Sequence, residues 1–253
     1  MKISIITVAF DSELYIADAL RSVDQQSWQE REHWVVDGAS NDATLDVVGG
    51  HARLWRHVVS EPDDGIYDAM NKGVDLARGD VVGFLNSDDF FASSTALEKV
   101  AAVFADPEVQ ACWGDLCYVK QHQPSKIVRY WRSSSFVTGS FARGWCPPHP
   151  TFFVRREILE RFGAFDLNFP IAADMELMAR LIEVHRIRSV YIPHVLVHMR
   201  MGGTTNRSVR NIWRQNLEIW AALKLHRLNP SLLSFVGRKL LARAQQFMSR
   251  PAV

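Results

Sequence analysis

The chain has 253 residues, 47% of them hydrophobic and 23% charged. That composition belongs to a globular protein with a sizeable core and excludes disorder, collagen and a disulfide-framed mini-protein. The net charge is only +1, yet residues 201–253 carry nine Lys or Arg against one acid, Glu218, a local balance of +8 that leaves −7 on residues 1–200.

Residues 3–10 are a mostly apolar run rich in β-branched side chains, suited to a strand buried on both faces. Asp11 and Glu13 end the run too early for a secretory signal. Ser12 is placed to cap a helix in which Leu14, Ala17, Leu20 and Val23 recur at three- and four-residue spacing. A second strand, residues 33–36, ends at Asp37-Gly38, and a polar turn through Ser40 and Asp42 leads into a helix bearing Leu45, Val47 and Val48. Residues 55–59 form a third predicted strand. Ile66, Met70, Gly73 and Ala77 share one face of the next helix, with Asp68 and Lys72 paired on its surface. Residues 80–85 are a fourth strand running into Asn86-Ser87-Asp88-Asp89. This alternation predicts a parallel sheet with right-handed crossovers.

Residues 109–113 and 127–131 read as strands separated by a polar loop around Pro124, and the Gly-, Ser- and Pro-rich stretch 133–148 as an irregular loop near the site. Helices are predicted at 155–162 and 175–184, and strands at 187–192 and 195–201 on either side of Pro193. Two helices, 209–225 and 232–248, close the chain. The last has Leu233, Val236, Leu240, Ala244 and Phe247 on one side and Arg238 and Lys239 opposite. Such a helix lies in an anionic membrane interface, or packs on the body or on another subunit. No stretch approaches the roughly 18 to 20 unbroken apolar residues of a membrane-spanning helix. Cys112, Cys117 and Cys146 have no C-x-x-C spacing and read as reduced thiols of a cytosolic protein.

Ligands of open α/β sheets bind beyond the carboxyl ends of the strands, where three predicted strands deliver Asp11, Asp37, Asp88 and Asp89. Acids there suit hydrogen bonds to a ribose or base, and a divalent ion that bridges protein to diphosphate. No G-x-x-x-x-G-K-[ST] loop is present and no G-x-G-x-x-G follows the first strand, so P-loop and dinucleotide chemistry lack their key part. Each acid has a plainer reading as a helix cap or turn former, and for Asp42 that reading prevails. His149, between Pro148 and Pro150, is an ordinary loop residue or an acceptor-side group. His194 and His198 lack a third ligand and read as structural, and Trp131 and Trp145 as core or surface side chains before sugar platforms.

These residues carry a resemblance. Ile5-Ile6-Thr7-Val8, Ser22-Val23-x-x-Gln26, Val35-Val36-Asp37-Gly38-x-Ser40-x-Asp42-x-Thr44 and residues 64–73 (DGIYDAMNKG) come in the order seen in the inverting family 2 glycosyltransferases. Gly79-Asp80, residues 85–89 (LNSDD), His149-Pro150-Thr151-Phe152-Phe153, Gly163-x-Phe165-Asp166 and residues 172–177 (AADMEL) continue it, over residues 3–205. The chain is most similar to the bacterial branch that builds capsule, exopolysaccharide and O-antigen. The resemblance implies a GT-A fold, a Rossmann-like mixed sheet flanked by helices, spanning residues 1–205, with a basic helical extension at 206–253. It implies a nucleotide-sugar donor (UDP most readily), magnesium or manganese, and a saccharide acceptor, lipid-linked in such enzymes. Carried over by position, Asp37 contacts the base, and Thr7 and Asn86 belong to the donor site. Asp88 and Asp89 supply the ribose and metal contacts of the D-x-D element, in which Asn86 stands where the family often has Asp. Asp174 falls at the catalytic base, with Glu176 its competitor two residues on. The enzyme would work in the cytoplasm, against the inner face of the cytoplasmic membrane.

Three alternatives compete with this reading. A sugar-phosphate nucleotidyltransferase needs a Gly-rich basic loop where residues 9–13 read AFDSE. A nucleic-acid binder would have to overcome an acidic body that repels phosphate. A non-catalytic saccharide-binding scaffold would have no use for Asp37, Asp88, Asp89 and Asp174 together.

Overall fold

The computed structural model describes residues 1–202 and 209–230, with residues 235, 237 and 246. The first half is the predicted alternation: β1 (Ile3–Ala9), α1 (Ile16–Asp24), β2 (Arg31–Asp37), α2 (Thr44–Gly50), β3 (Arg56–Ser60), α3 (Ile66–Leu76) and β4 (Val81–Phe84). There follow β5 (Phe90–Phe91), α4 (Ala96–Phe104), β6 (Ala111–Lys120), β7 (Gln123–Trp131), β8 (Phe153–Arg155), α5 (Arg156–Phe162), α6 (Ala173–Met178), β9 (Ser189–Arg200) and α7 (Val209–Leu225). One mixed sheet runs β3-β2-β1-β4-β8-β6-β9-β5, with β7 paired to β6. β1 to β4 are mutually parallel, β8 is antiparallel to both β4 and β6, and β9 is parallel to β6. The carboxyl ends of β1, β2, β4, β6 and β9 therefore share one edge.

Every residue of β1 is buried, as a strand covered on both faces requires. α3 packs close against it because Gly73 carries no side chain: a Cβ there would lie 2.4 Å from Ile6 Cγ2. The predicted faces of two helices need correction. α1 begins at Ile16 and buries Ile16, Ala19, Leu20 and Val23, while Leu14 is exposed. Ser12 does not cap it through its side chain; Oγ donates to Phe10 O and pairs with Ser87 Oγ at 2.8 Å, tying the loop after β1 to the loop after β4. On α3 the buried residues are Ala69, Met70 and Gly73, and Ile66 is exposed.

In the second half the polar loop around Pro124 is a tight hairpin turn, and Pro124 sits within β7, an edge strand where its missing N–H costs no ladder bond. The two strands around Pro193 are one strand, β9, whose register slips opposite Gly114 to absorb the proline. The predicted 175–184 helix starts at Ala173 and passes into a π turn at Ala179–Val184. β5 and β8 are short strands that periodicity does not reveal.

Residues 203–208, which include the expected division at 205/206, lie outside the described residues. Beyond them α7 belongs to the main core, burying Ile219, Ala222 and Leu223. The predicted amphipathic helix 232–248 lies outside the described residues, apart from Phe235, Gly237 and Gln246; Phe235 meets Trp220 edge-on at 6.0 Å. No helix among the described residues is long and apolar enough to cross a membrane.

Candidate active site

Three loops leave the shared sheet edge and are stitched together by small polar residues. Asp11 takes up a positive φ of 44°, donates its N–H to Ser40 Oγ (2.9 Å) and accepts from Asn41 N (3.0 Å). Ser12 N donates to Thr44 Oγ1 at 2.7 Å. Asp37, at the end of β2, is wholly buried; its Oδ2 accepts from Ser40 N (3.0 Å) and Ser60 Oγ (2.7 Å). The Asp37 carboxylate thus organises the turn that carries Gly38. A Cβ on Gly38 would sit 2.4 Å from Asp63 Oδ2, so glycine is what admits Asp63 to this edge.

Thr7 does not present its side chain here. It lies two residues inside β1, is fully buried, and pairs through Oγ1 with His33 Nε2 at 2.9 Å.

After β4, Asp88 and Asp89 divide into two different environments. Asp89 is fully buried, and its carboxylate accepts from Asn86 Nδ2 (2.9 Å) and Arg200 N (3.1 Å). Asp88 is partly exposed, with Arg200 Nη1 donating to its backbone carbonyl at 2.8 Å. Burial, and then the charge of Asp88, push the Asp89 carboxyl well above the usual carboxylate range. Burial also raises Asp88, against the pull of Arg200. A positive charge beside this pair would favour both ionised forms.

Arg200 is the residue that sequence reading passed over. It ends β9 at the shared edge, is almost fully buried, and pairs through Nη2 with Asp18 of α1. It also lines a cleft of about 380 Å³ with Asp18, Phe90, Pro124 and His198. The signal was present in principle, as a basic residue closing a strand in the acidic half of the chain, but its edge depends on the β6–β9 pairing.

Asp174 lies at the start of α6, partly exposed, and its Oδ1 accepts from Tyr67 Oη of α3 at 3.0 Å. An aromatic cluster joins it to the end of β4. Tyr67 stacks on Phe165 (5.3 Å), Phe84 meets Phe165 edge-on (5.1 Å), and His149 stacks on Phe84 (5.4 Å). His149 is buried, its Nε2 has no partner, and burial lowers its pKa against the opposing pull of Asp174, so it is neutral at neutral pH. Glu176 faces inward, fully buried between Arg180 (2.8 Å) and His226 (2.6 Å). It is an ion-pair anchor, removed from the edge where the competing sequence reading would need it.

Among the described residues no three His, Cys, Asp or Glu side chains gather as a metal cluster. His194 is exposed and His198 packs edge-on against Phe90. The acids of this edge nonetheless fit a divalent ion of the magnesium type. Such an ion takes one or two carboxylates and fills its shell with water and substrate phosphate, and of the two acids after β4 it is Asp88 that is partly exposed.

A curled mixed sheet flanked by helices is the architecture of the GT-A fold, and solved structures share it. The Staphylococcus aureus TarS fragment 1-349 aligns at a TM-score of 0.68 with 20% identity, over 95% of this chain and 72% of that one. The mannosyltransferase PcManGT of Pyrobaculum calidifontis, solved with GDP-Man and Mn2+, aligns at 0.62 with 21% identity, over 99% and 81%. Residues 4–166 match the profile of Glycosyl transferase family 2, and the chain belongs to that family. It is 30% identical over 224 residues to a PGL/p-HBAD biosynthesis glycosyltransferase of Mycobacterium bovis (strain BCG / Pasteur 1173P2), covering 81% of this chain and 80% of the relative. It is 27% identical over 220 residues to the O-antigen biosynthesis protein RfbC of Myxococcus xanthus, covering 81% of this chain and 16% of that protein.

Proposed function

We propose that this glycosyltransferase moves a hexosyl or N-acetylhexosaminyl unit from a nucleoside diphosphate sugar, a UDP-sugar first, to a saccharide hydroxyl with inversion at the anomeric carbon. The observation that carries the reading is the placement of two partly exposed carboxylates on different elements, Asp88 on the loop after β4 and Asp174 on α6, with Asp174 Oδ1 bonded by Tyr67. A sugar hydroxyl is a poor nucleophile at neutral pH, so direct displacement needs a base on the acceptor side as the new bond forms. Asp174 takes that proton in this scheme, while the diphosphate departs on the side of Asp88.

The donor class is supported by TarS structures in complex with UDP and UDP-GlcNAc and by PcManGT with GDP-Man. Asp88 would hold magnesium or manganese, with the buried Asp89, bonded to Asn86 Nδ2, next to it in the same loop. When bound, the ion offsets charge on the departing diphosphate. Asp37 and the turn it organises form the wall for the base.

The acceptor we favour is lipid-linked, in the synthesis of a bacterial surface polysaccharide. The +8 balance of residues 201–253 suits peripheral contact with the anionic inner face of the cytoplasmic membrane. Under this reading residues 1–205 hold the catalytic machinery and the segment from 206 brings it to its acceptor.

Asp174→Asn tests the chemistry. Asp174 lies inside the first turn of α6 and makes no side-chain cap bond there, and Asn is nearly its isostere, so the fold should persist. Transfer should fall at least about a hundredfold, the scale of general-base catalysis, with donor affinity unchanged. Near-normal turnover would place the base elsewhere.

A further inference from the structure

The stretch 64–73 is among the most distinctive in the chain, and the donor-side chemistry makes no use of it. Its helix, α3, places Tyr67 and Asn71 one turn apart on one face. Both reach the same segment. Asn71 Nδ2 donates to Phe165 O and its Oδ1 accepts from Phe165 N, each at 2.9 Å, a two-point clasp on the backbone. Tyr67 Oη lies 3.0 Å from Asp174 Oδ1 and 3.2 Å from Ile171 O. From the opposite side, Glu218 of α7 accepts from Ile171 N (2.8 Å) and Ala172 N (3.1 Å). The segment that ends in Asp174 is therefore gripped at both flanks, and Tyr67 alone of these grips reaches the carboxylate itself.

We propose that Tyr67 is a positioning residue for sugar transfer, holding Asp174 Oδ1 so that Oδ2 is the oxygen that receives the acceptor's proton. The inference rests on Asp174 being the base. In the step, the acceptor O–H gives its proton to Asp174 Oδ2 as the O–C1 bond forms. The C1–O bond to the diphosphate breaks, and its electron pair leaves with the nucleotide. Tyr67 keeps its own proton throughout, because burial and then the charge of Asp174 hold its hydroxyl well above the ordinary phenol range. The other charged or titratable groups around Asp174 are already committed or neutral. His149 is buried and neutral, Glu218 is bound to backbone amides, and Glu176 is held by Arg180 and His226. None of them duplicates the Tyr67 bond.

Tyr67→Phe removes the hydroxyl and keeps the ring against Phe165. A double-mutant cycle with Asp174→Asn reads the coupling directly. In the otherwise native protein, Tyr67→Phe should lower kcat about tenfold, with the donor KM and melting temperature unchanged, because a misplaced reacting group costs rate before it costs binding. In the Asp174→Asn background the same substitution should cost nothing further. The proposal is overturned if Tyr67→Phe turns over normally, or if the tenfold loss persists unchanged without Asp174. A loss expressed in donor KM or melting temperature in place of kcat also overturns it. Failure of the base assignment is seen separately, as normal turnover in Asp174→Asn alone.

Discussion

Asp174 and Glu176 sit two residues apart on α6, and the structure assigns them opposite fates under mutation. Glu176→Ala leaves Arg180 facing a void where it had a buried carboxylate, and removes the partner of His226 on α7. Breaking a buried ion pair costs about 3 to 5 kcal/mol. Arg180 keeps the carbonyls of Phe162, Gly163 and Ala164, which places the loss at the lower end, about 3 kcal/mol. For a chain of this size, 1 kcal/mol moves Tm by about 2 to 4 °C, so the drop should be about 6 to 12 °C. Differential scanning calorimetry gives that number, and transfer assayed at 20 °C gives turnover per folded molecule, which should remain within a few-fold of wild type. The pH dependence has a definite sign. Burial pushes the Glu176 carboxyl up, but hydrogen bonds from His226 and Arg180 outweigh it and the net direction is down. Its stabilisation is therefore complete above the unfolded value of about 4.5 and fades as pH falls below it. A Glu176→Ala protein with wild-type Tm and abolished transfer would refute this assignment and make Glu176 the chemical residue.

Glu32, buried in β2 beside Ser4 of β1, should be a second source of acid sensitivity. Hydrogen bonds from Lys2, Arg78 N and Ser4 overcome its burial and bring its pKa to about 2, so the stability it contributes should be lost between about pH 4.5 and 2, and Glu32→Gln should flatten that part of the acid-unfolding curve. Deleting residues 238–253, which keeps the buried Phe235, should reduce co-sedimentation with anionic vesicles while leaving donor hydrolysis intact, and 0.5 M salt, at a Debye length of about 4 to 5 Å, should mimic the deletion. Unchanged vesicle binding by the truncated protein would exclude the tail as the contact.

The parallel half of the fold was legible because its signals are local. The β-branched run of β1, the Asp37-Gly38 turn and the apolar spacing of α3 each specify their element without help from distant residues. The second half depends on long-range pairing. β5 has two residues and β8 three, too few for any periodicity, and β9 looked broken at Pro193 because its bulge exists only opposite Gly114. The same division holds for the site. Asp37, Asp88 and Asp174 could be placed at element ends from sequence, but which acids are free could not. Asp89 and Asp88 are neighbours in sequence, and only the arrival of Arg200 from β9 shows that the first is sealed in and the second is available. Thr7 was misplaced for a related reason: strand alternation does not say that His33 covers its hydroxyl.

The central claim is that this edge binds a nucleoside diphosphate sugar through a divalent ion at Asp88. Isothermal titration of UDP-sugars and GDP-sugars into the full chain, with manganese and then with excess chelator, tests it most directly. The account predicts binding of at least one donor in manganese, weakened tenfold or more, about 1.4 kcal/mol, both by chelator and by Asp88→Ala. Equal affinity with and without chelator, or binding indifferent to Asp88, would contradict it.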